Sequence, residues 1–481
     1  MPPALPLSLL DQTLRAIPRR YCVGPLLAAP SGLEDADPAT ALAIAIEQAR
    51  VALSAGAAPP PASERLFLGA LSQLIRDALR ERGGDSAFQA MVLRHQSHLV
   101  REHAWLSAHA QADRRAVRTA VDAFAHPGKR RGMPAGPFVQ ALASLHAAAA
   151  AEDWDALTRG AQAFLAAPSS DTWADPAIAG PLNRLLHDPA LARLRRLDAL
   201  ASDPLVQRYQ TLWQRQGPRP GTPQAAAQGL DARRRGIAVE ALAEQAIAAL
   251  ATHLASITGE TYRVATSMRV PASIPGNADR AKTEWDVALL RQTTGDASDP
   301  VWDVCLLVEA KASTDAATTD LPRLLRGLRL LAHADAQTIY AFESHQGPVR
   351  LRGAALAALS ADEAGLARTV LYFSDAPADA APRLLNAAGR MQLLSAQESL
   401  DYASLVSAGE APDASALAPV WQQLLISPRW SAVLNQLALL RQVRELMVHG
   451  DDVHAAITSV TMHTSGWPAP GGPRRRCTPW R

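Results

Sequence analysis

An apolar run that ends in an acid and a base one residue apart is the first feature able to do chemistry: Val304-Cys305-Leu306-Leu307-Val308-Glu309-Ala310-Lys311. In an extended strand side chains alternate, so Glu309 and Lys311 share a face with their Cα atoms about 6.5 to 7 Å apart. Upstream, Glu284-Trp285-Asp286-Val287-Ala288-Leu289-Leu290 is a second apolar run with an acid near its start. Residues 292–300, a polar Thr-Thr-Gly-Asp stretch, have the composition of a hairpin connection. The two runs are therefore expected to pair antiparallel and bring Asp286 beside Glu309. Two carboxylates and the backbone carbonyl of Ala310 make a hard oxygen set, suited to Mg²⁺ or Mn²⁺ rather than zinc. Such an ion polarises a phosphodiester oxygen and generates a nucleophilic water at neutral pH. Lys311 would orient that water or neutralise the transition state. Lysine is scarce, occurring only at Lys129, Lys282 and Lys311. One kept at a strand end beside a carboxylate points to a compact ammonium that guanidinium cannot replace.

The elements needed to position these groups follow from the patterning around them. Helical periodicity over residues 231–257 is followed by strand-like runs at 262–270, 285–291 and 301–309, a helix at 321–334, and strands at 337–342 and 369–373. Helical periodicity resumes over 381–460. Residues 5–216 alternate helical stretches (39–55, 63–82, 86–109, 113–125, 137–151) with breaks such as Gly56 to Pro61. At 481 residues the chain exceeds a single core. The expected organisation is an all-helical domain over 1–215, a Pro/Gly-rich linker over 216–230, a mixed domain over 231–380, a helical segment over 381–460, and a flexible basic tail over 461–481. The expected class is α+β, predominantly helical, with an N-terminal all-α bundle and C-terminal helices.

The Asp286 and Glu309-Ala310-Lys311 constellation, in that order of elements, resembles the PD-(D/E)XK nuclease superfamily. The resemblance spans residues 231–374, with Trp285 where the family name has proline. It implies a restriction-endonuclease-like α/β core of helix, three antiparallel strands, helix and further strands. It also implies a catalytic centre of Asp286, Glu309 and Lys311. A glutamate often borne by the family's first helix is matched within Gly236-Ile237-Ala238-Val239-Glu240, which makes Glu240 an auxiliary metal ligand or water-binding group.

The function expected is a Mg²⁺- or Mn²⁺-dependent deoxyribonuclease, with Asp286, Glu309, Ala310 and Glu240 around the metal. Arg233, Arg234 and Arg235, just before Glu240, are the candidate DNA contacts. The alternative is an inactive nuclease fold serving as a nucleic-acid- or protein-binding module, and the helical N-terminal half could carry target binding, a protein partner or homo-oligomerisation. A net charge of +2 gives no global attraction for nucleic acid, so any basic surface has to be local. Three distant cysteines without CxxC spacing argue against a disulfide framework or zinc ribbon and fit a reducing cytoplasm. The N-terminus lacks a basic n-region, and no apolar run of about 18 residues is evident, so neither a signal peptide nor a membrane span is expected. No Walker A loop, GxGxxG, GxSxG or HExxH motif is present. His95, His98, Glu102 and His109 form a helical stripe about 21 Å long, too extended for one ion and expected to be a polar face. The runs Lys129-Arg130-Arg131 and Arg474-Arg475-Arg476 are expected to be solvated.

Overall fold

The structure is a computed structural model that describes residues 8–23, 37–167, 176–218, 221–293, 299–359, 361–378 and 383–464. The tail from residue 465, with Arg474, Arg475 and Arg476, and the tip of the 292–300 connection lie outside the described residues. The fold is α+β and predominantly helical, with an N-terminal helical region and a central mixed sheet flanked by helices. Two compact units are each assembled from separate stretches. One comprises Met1–Gln73, Pro220–Leu393 and Leu417–Arg481, and the other Leu74–Arg219 and Leu394–Ala416.

The first unit contains the sheet. Its strands are β1 (Tyr262–Arg269), β2 (Glu284–Gln292), β3 (Val301–Ala310), β4 (Ile339–Phe342), β5 (Val349–Arg352), β6 (Val370–Phe373) and β7 (Met447–Val448). The helices around it are α1 (Leu9–Ala16), α2 (Pro223–Thr258), α3 (Thr314–Leu331), α4 (Gln436–Leu446) and α5 (Gly450–Thr464). β1, β2 and β3 form an antiparallel meander. β3 then pairs in parallel with β6 near its C-terminal end and with β5 near its start. Runs such as Val287-Ala288-Leu289-Leu290 are apolar without alternation because both faces of the sheet are covered. On one face Ala288, Leu290, Leu307 and Tyr372 pack against Leu321, Leu324 and Leu328 of α3. On the other, Val287, Leu289, Leu306 and Val308 pack against Val239, Ile247, Leu250 and Leu254 of α2.

Local chemistry explains the helix boundaries. α2 begins at Pro223, ahead of the 231 start expected, because the Thr222 side chain accepts from the Ala225 N–H and proline suits the first turn. It ends at Gly259, whose φ of 69° is left-handed. By length and composition alone α2 could cross a membrane, against the expectation that no segment is long and apolar enough to do so. Val239, Ile247, Leu250 and Leu254 on it are fully buried against the sheet, as in a core helix. The stretches expected at 86–109 and 113–125 are instead Ser86–Gln96 and His98–Ala125. Ser97 makes the break, its hydroxyl accepting from the Val100 N–H.

β5 and β7 had no counterpart in the sequence reading. β5 is four residues long, and β7 is two residues inside a stretch of helical periodicity, where no period of two can register. The N-terminal segment belongs to the sheet unit rather than to a separate helical bundle. Leu14 and Ile17 pack with α2, and Tyr21 joins the opposite core. The Tyr21 hydroxyl donates to the Ala376 carbonyl at 2.6 Å, and Arg20 pairs with Asp452.

The second unit is all helical. Its main core includes Val117, Val121, Phe124, Leu142, Leu157 and Leu182. Buried Asp113 takes a two-pronged hydrogen bond from Arg193 at 2.8 and 2.6 Å.

Leu324 is fully buried between α3 and the sheet. Leu324→Ala should cost about 2–5 kcal/mol of stability, read by urea denaturation. A loss under about 1 kcal/mol would contradict this packing.

Candidate active site

Asp286 and Glu309 meet because β2 and β3 pair antiparallel through Val287↔Val308, and the next positions outward along this register are these two acids. The Asp286 Oδ2 accepts from the Ala310 N–H at 2.9 Å, which fixes its carboxylate at the strand end. Glu309 is 0% exposed. Its Oε2 accepts from Lys311 Nζ at 3.1 Å and from Lys282 Nζ, while its buried Oε1 has no hydrogen-bond partner among the described residues. Lys311 is held by the ladder, its N–H donating to the Phe373 carbonyl at 2.9 Å. Its Nζ lies 3.6 Å from Asp286 Oδ2 and 3.9 Å from Asp320 Oδ2. Tyr372, next to Phe373 on β6, donates its hydroxyl to Asp320 Oδ2 at 3.3 Å.

Lys282, Asp320 and Tyr372 are the members of this cluster that the sequence analysis did not assign. Lys282 lies in the loop before β2, with its Nζ 3.7 Å from Asp286 Oδ1. That loop is docked onto α3: the Lys282 N–H donates to the Arg323 carbonyl at 3.1 Å, and Arg326 Nε donates to the Arg280 carbonyl at 2.9 Å. Gly327 on α3 approaches so closely that a Cβ there would lie 2.7 Å from the Lys282 Cβ and carbonyl oxygen. The available signal was lysine scarcity, since two of the three lysines in the chain converge here. Asp320 and Tyr372 carried no local signal, because the α3 and β6 crossover brings them in.

Burial first, then the charge of Asp286, pushes the Glu309 carboxyl up to about 8, while Lys282 and Lys311 pull it back. Burial would lower the Lys311 ammonium, but Glu309, Asp286 and Asp320 outweigh it and the pKa rises. Burial, followed by Asp320, raises the Tyr372 hydroxyl, which therefore stays protonated. Glu240 on α2 feels the same centre: desolvation and then Asp286 raise its carboxyl, against Lys311 and Lys282.

Asp286, Glu309 and Lys311 are thus brought together, with Glu240 in electrostatic range. Arg233, Arg234 and Arg235 are exposed on α2. Arg234 lies 3.6 Å from Asp231, and Arg235 lies 3.4 Å from Asp375, just beyond β6. Among the described residues no three His, Cys, Asp or Glu side chains gather closely enough to hold a metal ion. Two ammoniums, those of Lys282 and Lys311, each lie beside both Asp286 and Glu309 instead.

Elsewhere the candidates disperse. His95 pairs with Asp401 at 2.7 Å, Glu102 with Arg196 at 2.8 Å, and His109 Nδ1 lies 2.8 Å from the Trp105 carbonyl oxygen. A cavity of about 250 Å³ in the helical unit is lined by Arg118, Asp122 and His146. Its charged groups are paired internally, Arg118 with Glu152 and His146 with Asp122.

No family model matches the chain, nor does any curated protein or solved structure.

Two measurements check this geometry. Gly327→Ala should destabilise by about 1–3 kcal/mol, because the facing atoms belong to the Lys282 backbone and Cβ and cannot simply swing aside; an unchanged denaturation midpoint would refute the close approach. The second concerns pH. With the Glu309 carboxyl raised from 4.5 to about 8, the folded chain holds a proton that the unfolded chain releases, so this group's stabilisation is lost as pH rises through that window. Glu309→Gln should remove that slope, leaving the variant more stable than the parent at pH 8, relative to pH 5, by on the order of 1 kcal/mol or more. Parallel stability–pH curves for the two proteins would contradict the shift.

Proposed function

We propose that this chain is a Mg²⁺- or Mn²⁺-dependent deoxyribonuclease of the PD-(D/E)XK kind, centred on Asp286, Glu309 and Lys311. The observation that carries the reading is an excess of negative charge around a buried carboxylate oxygen without a partner. Among the described residues, the acids Asp286, Glu309, Asp320 and Glu240 outnumber the ammoniums of Lys282 and Lys311 at this centre. Burial first, and the charge of Asp286 second, make Glu309 and Glu240 hold their protons more tightly despite the two ammoniums. A divalent ion would offset that excess, and the Glu309 Oε1, buried without a hydrogen-bond partner among the described residues, is a ligand atom such an ion could use. The order of α2, the β1–β3 meander, α3 and parallel β6 supports the restriction-endonuclease-like reading of the core.

Asp286, Glu309 and the Ala310 carbonyl would hold the ion, with Glu240 reaching it directly or through water. When bound, the ion would polarise a phosphodiester oxygen and furnish a hydroxide-like water. Lys311, kept protonated by three carboxylates, is suited to neutralising charge on the phosphorane rather than to acting as a base. The Tyr372 hydroxyl fixes Asp320, which in turn faces the Lys311 ammonium. Arg233, Arg234 and Arg235, on the turns preceding Glu240, would contact DNA phosphates on either side of the scissile bond. One observation favours a non-catalytic DNA- or protein-binding platform instead: Lys282 already satisfies Glu309 Oε2 without a metal.

Supercoiled and linear DNA incubated with Mg²⁺ or Mn²⁺ should be cleaved by the parent protein. Asp286→Asn, Glu309→Gln and Lys311→Met should each lower the rate by roughly a hundredfold or more. Cleavage that survives chelation or all three substitutions would overturn the assignment, and a parent protein that binds DNA without cutting it would favour the platform.

A further inference from the structure

We infer that Lys282 is a resident counter-cation occupying the seat between Asp286 and Glu309, and that a divalent metal binds only by displacing its ammonium. The inference rests on the metal-dependent reading above and concerns the regulation of that same site.

The Lys282 ammonium bridges the two carboxylates that would hold the ion, as does that of Lys311, 3.1 Å from Glu309 and 3.6 Å from Asp286. Lys282 Nζ contacts Glu309 Oε2 and lies 3.7 Å from Asp286 Oδ1. A Mg²⁺ held by these groups needs oxygens at about 2.0–2.1 Å. An ammonium left among the same oxygens would sit a few ångströms from a dication, where like charges repel by several kcal/mol even at an effective dielectric of about 20. Both cannot remain. The two lysines differ in how they are held. Lys311 directly follows β3 and its backbone N–H is bonded to Phe373 of β6, whereas Lys282 is presented by a loop on a flexible four-carbon stem. Its backbone is clamped by Arg323 and Gly327 of α3, so the loop need not move for the side chain to withdraw. Lys282 side-chain exposure is only 6%, so its ammonium is buried within the cluster.

Mn²⁺ titration by calorimetry at pH 8.5 tests this. Lys282→Met should bind Mn²⁺ at least tenfold more tightly than the parent, and adding Asp286→Asn should abolish binding in both backgrounds. Equal or weaker binding by Lys282→Met, with the parent still binding, overturns the competition while leaving the metal site standing. Absence of Mn²⁺ binding in both proteins overturns the metal site and the competition together. The second measurement needs no variant. In ¹⁵N-lysine-labelled parent protein, Lys282 and Lys311 should give two exchange-protected ammonium signals, with exposed Lys129 unprotected. Saturating Mg²⁺ should remove protection from one of the two, and two signals that both persist would overturn the displacement.

Discussion

A carboxylate with no solvent exposure at the end of a strand covered on both faces sets the terms for everything near it. Taking Glu309 out of water is costly unless cations or protons compensate. The surroundings compensate in three ways: an ammonium from the residue just past the strand, a second from a loop, and a proton retained well above the ordinary carboxylate range. Around that pair the acids Asp286 and Asp320 keep Lys311 charged, and Tyr372 keeps Asp320 oriented. The cluster behaves as one electrostatic unit, so a substitution at any member is felt by the rest.

Packing places this unit where it can matter. The sheet has apolar layers on both faces, and the charged groups gather where β3 and β6 end together. Asp286 and Lys311 are only partly exposed, so neighbouring charges act through a medium less polar than water. Gly327 shows the geometric side of the same design, since its missing side chain lets the loop carrying Lys282 lie directly on α3.

What could be read from the sequence was local. The two-residue side-chain repeat of a strand and a connection of hairpin composition placed Asp286, Glu309 and Lys311 at one sheet end, because antiparallel neighbours in sequence are neighbours in space. Lys282 sits outside any periodic element, so only its rarity marked it. Asp320 and Tyr372 depend on a parallel crossover whose register no short-range pattern encodes. β7 pairs with β6 across more than seventy residues of chain, and the helical periodicity around it masked so short a strand. Leu14, Ile17 and Tyr21 illustrate the same limit: their helical spacing was visible, but not the two cores they complete.

The interleaving of the two units along the chain bears on how the protein can be dissected. The Pro/Gly-rich stretch before α2 is the natural place to cut, yet a fragment starting there would lack Leu14 and Ile17 on one side of the sheet and Tyr21 on the other. Stopping before β7 would remove one of the two strands that pair with β6, the strand that anchors Lys311 through Phe373. Neither unit is a continuous span of polypeptide, so trimming toward a minimal soluble piece is better done by shortening internal loops or by circular permutation than by removing an end.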